Sequence, residues 1–316
     1  MKSIAITGIS GYIGSRLLSR LDEIPDVSDI VGIDIKPPTR RAGKLRFYCR
    51  EILQPLGDIF VENEVDSAIH LAFVLKPTHN REGTRQVDIG GISNFLDACR
   101  QANVKHILYL SSHTVYGAYP DNPVPLREEA LLRPLIGFQY STDKAEAERI
   151  LRNFAVSQRD VYLTILRSCP VIGPNATNSV VASMFKPIFI RVAGFDPPLQ
   201  FVHEDDLAEL VVAMLRQKKS GIFNVAGNGE IRYTELAKLC GKRTVTVPDK
   251  LLRILMSFSW SLHLQSESPP NGLEFIKYPP VVSTEKLKTE TGFQFRYSSK
   301  EAVISFLSAT AKRSEE

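Results

Sequence analysis

The chain has 316 residues, of which 43% are hydrophobic and 23% charged, a composition typical of a globular protein with about two structural units. Its net charge of +4 comes from basic residues scattered along the chain, which gives no support for nucleic acid as a partner. No apolar stretch approaches the ~18 residues of a membrane span, and the N-terminus predicts a strand rather than a signal peptide. Four widely separated cysteines predict no disulfide framework, so we expect a cytoplasmic protein without a membrane partner.

Short apolar runs alternate with amphipathic segments through the first half of the sequence. Strands are predicted at 3–7, 29–35, 45–48, 66–72, 106–111 and 161–166. Helices are predicted between them at 12–21, 88–102 and 140–154. Because strands alternating with helices form right-handed βαβ units, the pattern predicts an α/β protein with a Rossmann-type, doubly wound parallel sheet.

The second half is less regular, with helices predicted at 205–217, 248–264 and 301–311 and a strand at 222–225. We predict a first domain over 1–170 that includes returning segments at about 199–226. A smaller C-terminal substrate lobe is predicted from 171–198 and 227–316. This lobe is expected to face the carboxyl edge of the sheet, where doubly wound folds bind their ligands.

Three sequence features are interpreted as having a structural role and not as binding a membrane or a metal. The apolar stripe over 251–264 is expected to lie in the core or in the wall of the substrate lobe. The acidic residues that follow His203 predict a helix N-terminus, where the helix dipole favours negative charge. Six histidines without an HExxH motif or clustered Cys/His spacing predict no metal site.

A glycine-rich turn connects the first strand to the first helix. Gly8 permits a tight turn, Gly11 lets backbone N–H groups approach a pyrophosphate, and Gly14 allows close packing of the helix. Asp34 ends the second strand, 34 − 14 = 20 residues after the last glycine, where a carboxylate can accept hydrogen bonds from an adenosine ribose. A plain βα turn is the alternative, but this context favours dinucleotide binding. The carboxylate favours NAD over NADP, although three nearby cations keep NADP open: Lys36, Arg40 and Arg41.

Tyr140 and Lys144 have the YxxxK spacing, which places both side chains on one face of a helix. Ser112 ends a strand 28 residues earlier, at the carboxyl edge of the same sheet. A phenol with a pKa near 10 is a weak base at neutral pH, and lowering it by ~3 units requires about 4 kcal/mol. The ammonium and a nicotinamide cation could supply this, while Ser112 would hydrogen-bond the substrate oxygen. An ordinary surface pair is the alternative.

These residues resemble the extended short-chain dehydrogenase/reductase family, in particular its NAD-dependent epimerase/dehydratase members, which are similar to UDP-glucose 4-epimerase. The likeness runs over nearly the whole chain in the order of the family's motifs. Besides the glycine turn and the YxxxK pair, the motifs lie at 70–72, 115–117, 167, 172–174, 201–208 and 223–227.

The resemblance implies catalytic roles for Ser112, Tyr140 and Lys144, with NAD as the cofactor. It further implies a nucleotide-sugar substrate and a homodimer formed through the helices near 88–102 and 140–154. The implied cofactor-binding residues are Gly8, Gly11, Tyr12, Ile13, Gly14, Asp34, Ile35, Glu51, Ile52, Leu71, Ala72, Phe73, Tyr140, Lys144 and Pro170.

The sequence departs from the family at several positions. Asp88 stands where asparagine is common, and Phe73 replaces a usual alanine. His113 and Thr114 follow the serine where sugar-nucleotide dehydratases carry an Asp-Glu pair, which argues against dehydration. His113 is interpreted as a packing residue, with substrate contact as the alternative. We predict a nucleotide-sugar epimerase acting by transient oxidation of one sugar carbon. The alternatives are a net dehydrogenase of a sugar or other alcohol and a non-catalytic dinucleotide-binding protein.

Overall fold

A seven-stranded, fully parallel sheet forms the centre of the molecule, as seen in a computed structural model that describes residues 2–75, 78–264 and 269–315. Its first six strands are β1 (Ser3–Thr7), β2 (Asp29–Asp34), β3 (Leu45–Cys49), β4 (Ser67–His70), β5 (His106–Ser112) and β6 (Tyr162–Ser168). The seventh, β11 (Gly221–Val225), pairs with β6. The strand order is β11-β6-β5-β4-β1-β2-β3. Strands β1 to β3 therefore extend the sheet to one side and β4 onward extend it to the other, with the switch between β1 and β4. Ligands of doubly wound folds bind outside the carboxyl ends of the strands at such a switch point.

Helices cover both faces of the sheet. The larger ones are α1 (Tyr12–Asp22), α2 (Gly57–Glu62), α4 (Gly91–Gln101), α5 (Gln139–Ser157) and α7 (Glu204–Gln217), with the short α3 (Arg81–Arg85) before α4. Alternate residues of β1 show how each face is buried, because Ile4 and Ile6 pack with α1 and α7 whereas Ala5 packs with α2, α4 and α5. The Rossmann-type fold that the alternating pattern predicted is confirmed.

The rest of the second half packs beside the carboxyl edge as short strands and helices. The strands are β7 (Val171–Ile172), β8 (Ile188–Val192), β9 (Pro198–Leu199), β10 (Val202–His203), β12 (Ile231–Arg232) and β13 (Arg243–Val247). The helices are α6 (Ser179–Met184), α8 (Tyr233–Leu239), α9 (Asp249–Ser261), α10 (Leu273–Lys277), α11 (Glu285–Thr291) and α12 (Ser299–Glu315). Phe189, Phe201 and Phe306 belong to an apolar cluster of this region. The domain boundaries predicted from the sequence stay a prediction.

Two predicted helices differ from the structure in an informative way. The helix predicted at 88–102 begins with a π-helical turn over Gln86–Gly90 before α4 continues it, and this turn buries Asp88 completely. The predicted apolar helix at 248–264 is present as α9. Of the two places expected for its stripe, the core is wrong for most of its side chains, whereas Trp260 lies in the wall of a cleft next to the start of α5. Of the α9 residues only Leu252 is buried, because the helix turns most of its apolar side chains outward. In the described residues no helix is long and apolar enough to cross a membrane.

Candidate active site

The glycine turn is held by close backbone contacts that leave no room for side chains at two of its glycines. Gly8 adopts a left-handed φ of +74°, and a Cβ on it would lie 2.8 Å from the Ala72 nitrogen after β4. A Cβ on Gly14 would lie 2.3 Å from the Gly8 carbonyl oxygen, so the first turn of α1 can sit on the end of β1 only without a side chain there. A Cβ on Gly11 would come close only to that carbonyl oxygen, at 3.2 Å. Gly11 is also the N-cap residue of α1, where it has no side chain to form a capping hydrogen bond. The first N–H groups of α1 therefore have no intrahelical acceptor and point toward a place that can hold an anion.

Asp34 lies beside this turn at the end of β2. Its carboxylate accepts hydrogen bonds from the backbone N–H groups of Ser10 (3.0 Å) and Ile35 (2.8 Å), which fixes it next to the glycine turn. Ile35 is 60% exposed, and Glu51, just after β3, is also exposed. Ile52 instead packs its side chain under α4, where a Cβ on Gly91 would come within 2.9 Å of it. This edge fits the adenosine half of a dinucleotide, and these assignments stay predictions.

Two further predicted cofactor residues contact other parts of the protein. The Tyr12 hydroxyl donates a 2.5 Å hydrogen bond to the buried Glu204 carboxylate at the start of α7. Its side chain packs with the apolar cluster of the second half, so only its backbone faces the turn. Glu204 also accepts from Asn175, which confirms the helix N-terminus expected after His203. Pro170 follows β6 at the carboxyl edge, and its carbonyl accepts from the Val202 N–H at 3.1 Å.

The segment after β4 connects the glycine turn to the catalytic helix. The Leu71 N–H donates to the Thr7 carbonyl at 3.1 Å, which continues the sheet alignment past His70. Phe73 lies farther along, with its ring centroid 3.8 Å from the Lys144 Nζ atom and 5.7 Å from the Tyr140 ring centroid. Phe73 therefore covers the cation that the sequence places in the active site.

Ser112, Tyr140 and Lys144 come together at the carboxyl edge of β5. Ser112 begins a 3₁₀ turn over His113–Tyr116, and its Oγ accepts hydrogen bonds from both the backbone N–H (3.2 Å) and the hydroxyl (3.0 Å) of Thr114. The Ser141 hydroxyl donates to the Thr114 carbonyl at 2.8 Å, which ties the start of α5 to this turn. The Lys144 ammonium donates to the Leu110 carbonyl on β5 at 2.7 Å.

Burial controls the protonation of the two titratable members of this set. Burial raises the pKa of Tyr140 to about 12, and the charge of Asp88 adds to the rise, although a hydrogen bond with Ser112 opposes it. Burial lowers the pKa of Lys144 to about 7, while the carboxylates of Asp88 and Glu148 oppose this change. The lowered phenol pKa that the sequence analysis required is not reached by the protein alone. The physical reason is burial of the phenol, which raises its pKa more than the Ser112 hydrogen bond lowers it.

Asp88 is a buried carboxyl group beside this site. Its Oδ1 accepts from the Val74 N–H at 2.8 Å, whereas its Oδ2 has no hydrogen-bond partner among the described residues. Burial raises the pKa of Asp88 to about 7, with the Val74 hydrogen bond and the Lys144 charge opposing the rise. The family's asparagine is thus replaced by a group that can carry charge next to Lys144.

A buried polar network beneath the site was missed by the sequence analysis. Glu148, one helical turn after Lys144, accepts from Ser111 at 2.6 Å and forms a bidentate ion pair with Arg167 on β6, with a shortest distance of 2.7 Å. Arg167 also donates a hydrogen bond to the Tyr116 hydroxyl at 2.8 Å. The available signal was the position of Glu148, four residues after Lys144 on the helix face turned toward the sheet. A carboxylate buried there needs a cation as its partner, which predicts an ion pair. This network fixes α5 against β5 and β6.

The two residues that follow Ser112 are not placed for acid–base chemistry. His113 is buried, desolvation lowers its pKa to about 4, and its Nδ1 has no partner in the described part of the chain. Thr114 orients Ser112 through the hydroxyl bond given above. The packing interpretation of His113 is therefore the one that its burial favours.

A cleft opens beside the Tyr140 ring. Its walls come from the segments before and within α3, from the start of α5 and from the end of α9. The lining residues are Val74, Thr78, Arg81, Thr84, Gly137, Phe138, Gln139, Tyr140, Trp260 and Pro269. Among these described residues Arg81 is the one cation, and there is no carboxylate. In the residues that the structure describes, no three His, Cys, Asp or Glu side chains are grouped to hold a metal ion.

Comparison with known proteins places this geometry in a family. The model of the NAD dependent epimerase/dehydratase family matches residues 4–226. The chain is 24% identical over 309 residues to an uncharacterized protein of Mycobacterium tuberculosis, covering 95% of this chain and 82% of that one. It is 30% identical over 191 residues to the UDP-glucose 4-epimerase of Yersinia enterocolitica, covering 56% of each. The fold is similar to that of the UDP-glucose 4-epimerase of Thermotoga maritima with UDP-glucose, with a TM-score of 0.78, 19% identity and coverage of 98% and 99%.

Proposed function

The chain belongs to the NAD dependent epimerase/dehydratase family, and on that premise we propose that it epimerises a nucleotide sugar by transient oxidation of one sugar carbon. Its cofactor is NAD, which accepts a hydride from a substrate carbon and can return it. The glycine turn and Asp34 are the residues we assign to the pyrophosphate and the adenosine ribose. The observation that carries the proposal is the meeting of Ser112, Tyr140 and Lys144 beside one cleft at the carboxyl edge.

Each of the three residues has a separate task in this mechanism. Tyr140 removes the proton from the substrate hydroxyl and later returns it, since it is the titratable group that lines the cleft. Thr114 fills the acceptor side of Ser112, so we assign its one hydroxyl proton, which bonds Tyr140 in the free protein, to the substrate oxygen once the substrate is bound. Lys144 provides a positive charge that favours the phenolate form of Tyr140.

Epimerisation is favoured over dehydration by the groups around the cleft. Removing water requires an acid for the leaving hydroxyl and a base for the neighbouring carbon. His113 is buried with a pKa of about 4, and Thr114 has no carboxylate. None of the described residues that line the cleft is a carboxylate, and Asp88 is buried behind them with one oxygen bonded to the Val74 N–H. Tyr140 is therefore the proton-transfer group that we place against the substrate, and one such group is sufficient for reversible oxidation at a single carbon.

A nucleotide sugar is the substrate class we propose. The Yersinia enterocolitica relative and the Thermotoga maritima structure are both named as UDP-glucose 4-epimerases. Arg81 lines the cleft as its one described cation and can pair with a phosphate. We also propose a cytoplasmic homodimer that forms through α4 and α5.

A net NAD-dependent dehydrogenase of another alcohol is the second candidate. The cleft wall is mostly apolar beside Tyr140, with Val74, Phe138, Trp260 and Pro269 as its apolar members. Such a wall favours a less polar alcohol than a sugar diphosphate. Both reactions use the same three catalytic residues.

The test is to incubate the purified chain with NAD and a panel of UDP-sugars while following NADH absorbance, product mass and sugar configuration. We expect an unchanged mass, a changed configuration and no accumulation of NADH. Loss of two hydrogens with stoichiometric NADH would identify the dehydrogenase, and a product lighter by one water would overturn both candidates. The Tyr140→Phe variant is the control for background conversion.

A further inference from the structure

Helix α9 carries an apolar face that the rest of the described chain leaves uncovered. Five large apolar side chains lie on it at helical spacing, namely Leu251, Ile254, Leu255, Phe258 and Leu262. Ile254 is 65% exposed and Phe258 62%, and the other three are about half exposed. The opposite side of the helix already packs inward through Leu252 and Met256. Exposing an apolar helix face to water is unfavourable, so this second face is expected to be buried against a binding partner.

The same apolar surface continues onto the small sheet next to α9. Strands β8 and β13 are paired in parallel, with Val192 opposite Val247 and Ile190 opposite Val245. Side chains of paired residues lie on the same face of a sheet, and Val192 and Val247 pack with Leu252 of α9. Farther along that face, Ile190 and Val245 are each more than 40% exposed. We define the α9 face and these two strand residues together as the α9 surface.

Two cations that form no ion pair with the described residues border the α9 surface. Lys250 is exposed at the edge of the α9 stripe, and Arg243 is exposed on the sheet face that carries Val245. No ion pair involving either cation is found within the described residues. Among the described residues next to α9, the acidic groups are Asp249 and Glu274, and both are already paired with Arg253 and Lys277. The surface is therefore apolar in its middle and positive at its rim.

We propose that the α9 surface docks on an anionic lipid bilayer, with the apolar stripe in the interface and Lys250 and Arg243 at the headgroups. A helix with leucine, isoleucine and phenylalanine on one face and cations at its border has the properties of interfacial helices. A second copy of the chain fits less well, because the same surface offers Lys250 and Arg243 no unpaired carboxylate among the described residues. This surface is separate from the catalytic residues, so the inference does not depend on the proposed reaction. It revises the sequence expectation of no membrane partner, which rested on the lack of a span-length apolar stretch and on the interpretation of the 251–264 stripe as core or lobe wall.

The test is sedimentation of the full chain with lipid vesicles at low ionic strength. One set of vesicles contains phosphatidylcholine alone, and the other contains phosphatidylcholine mixed with phosphatidylglycerol. We expect at least tenfold stronger partitioning onto the anionic vesicles, with a loss of that preference at high salt. The double variant Ile254→Ser/Phe258→Ser should reduce partitioning at least tenfold.

Two further variants keep the test decisive. Lys250→Glu changes one exposed charge and leaves the apolar stripe intact, so it should lower binding to anionic vesicles without affecting folding. Leu131→Ser removes a 77% exposed apolar side chain elsewhere and should bind like the original protein. Equal partitioning onto both vesicle types, or none, would overturn the proposal. So would self-association without vesicles that the double variant abolishes, because the cover would then be a second copy.

Discussion

Tyr140, the residue that we propose for proton transfer, is not prepared for that role by the protein alone. Its hydroxyl is a poor base here, because burial raises its pKa to about 12 and the nearby Lys144 ammonium is engaged by a backbone carbonyl. Bringing such a phenol to pKa 7 requires roughly 7 kcal/mol of additional stabilisation of the phenolate at 1.36 kcal/mol per unit. The remaining stabilisation must come from charge and substrate contacts that are present only in the loaded site. The structure therefore favours a proton-transfer group that becomes active on binding.

Tyr140→Phe should lower turnover by roughly 10²–10⁴-fold, the usual contribution of a positioned proton-transfer group. The ring contacts with Phe73 and Phe138 are kept, so thermal unfolding and NAD affinity should stay nearly unchanged. Steady-state kinetics and a cofactor titration measure the two effects. Tyr162→Phe, a partly exposed phenol at the opposite end of the sheet, is the matched control and should keep full activity. Full activity of Tyr140→Phe with the natural substrate would show the mechanism to be wrong.

Asp88→Asn should shift the pH–rate profile toward lower pH. The Asp88 charge raises the pKa of both Tyr140 and Lys144, so its removal lowers both values. Activity requires a deprotonated phenol and a protonated ammonium. Above pH 7, where the Asp88 carboxyl with its pKa of about 7 is charged, its removal should therefore move the profile in the acidic direction by on the order of one pH unit. The Asn amide can still accept from the Val74 N–H, which preserves the local fold.

The measurement for this variant is kcat/KM across the pH range. Asp97→Asn, on the exposed side of α4, is the control and should leave the profile unchanged. An unchanged profile with reduced stability would mean that Asp88 has only a structural role. A shift toward alkaline pH would contradict the direction of the charge effect.

At the scale of elements, the glycine turn depends on close backbone contact between α1 and β1. Gly14→Ala should destabilise the fold and weaken NAD binding, because the added methyl group would lie 2.3 Å from the Gly8 carbonyl oxygen and 2.6 Å from that of Ile9. Overpacking of this kind costs about 1–3 kcal/mol. Gly43→Ala is the matched control, since no atom lies within 4 Å of its added Cβ. Urea unfolding and NAD titration check the pair, and equal behaviour of the two variants would refute the close contact.

The sequence predicted elements well where a single local rule decides the structure. Strand β1 was predicted with its observed ends, because an apolar run stops at Gly8. The π-helical turn over Gln86–Gly90 was missed, since its hydrogen-bond shift depends on the packing of buried Asp88 and has no periodic signal of its own. The outward face of α9 was misjudged for a related reason. An apolar stripe indicates that a face is covered, but it does not say by what.

The candidate site shows the same division between local and long-range information. The motif spacing located Ser112, Tyr140 and Lys144, and the fold brings them to one edge. The pairing of Glu148 with Arg167 joins residues 19 positions apart through the sheet, and it could not be derived from either residue alone. The cleft wall formed by Trp260 depends on how α9 packs beside α5, which no local pattern specifies.

At the scale of the whole molecule, NAD binding should stabilise the chain against thermal unfolding, and NADP should stabilise it less. A ligand that binds only the folded state adds about 2.7 kcal/mol at 100 times its Kd, which raises the unfolding temperature. Asp34 lies where we place the adenosine ribose, and its carboxylate would repel a 2′-phosphate. Thermal unfolding with equal concentrations of either cofactor measures the difference. Asp34→Asn should reduce the difference between the unfolding temperatures with NAD and with NADP, because the amide oxygen can still accept a backbone N–H but carries no negative charge. Stronger stabilisation by NADP would show that the exposed cations Lys36, Arg40 and Arg41 dominate this edge instead.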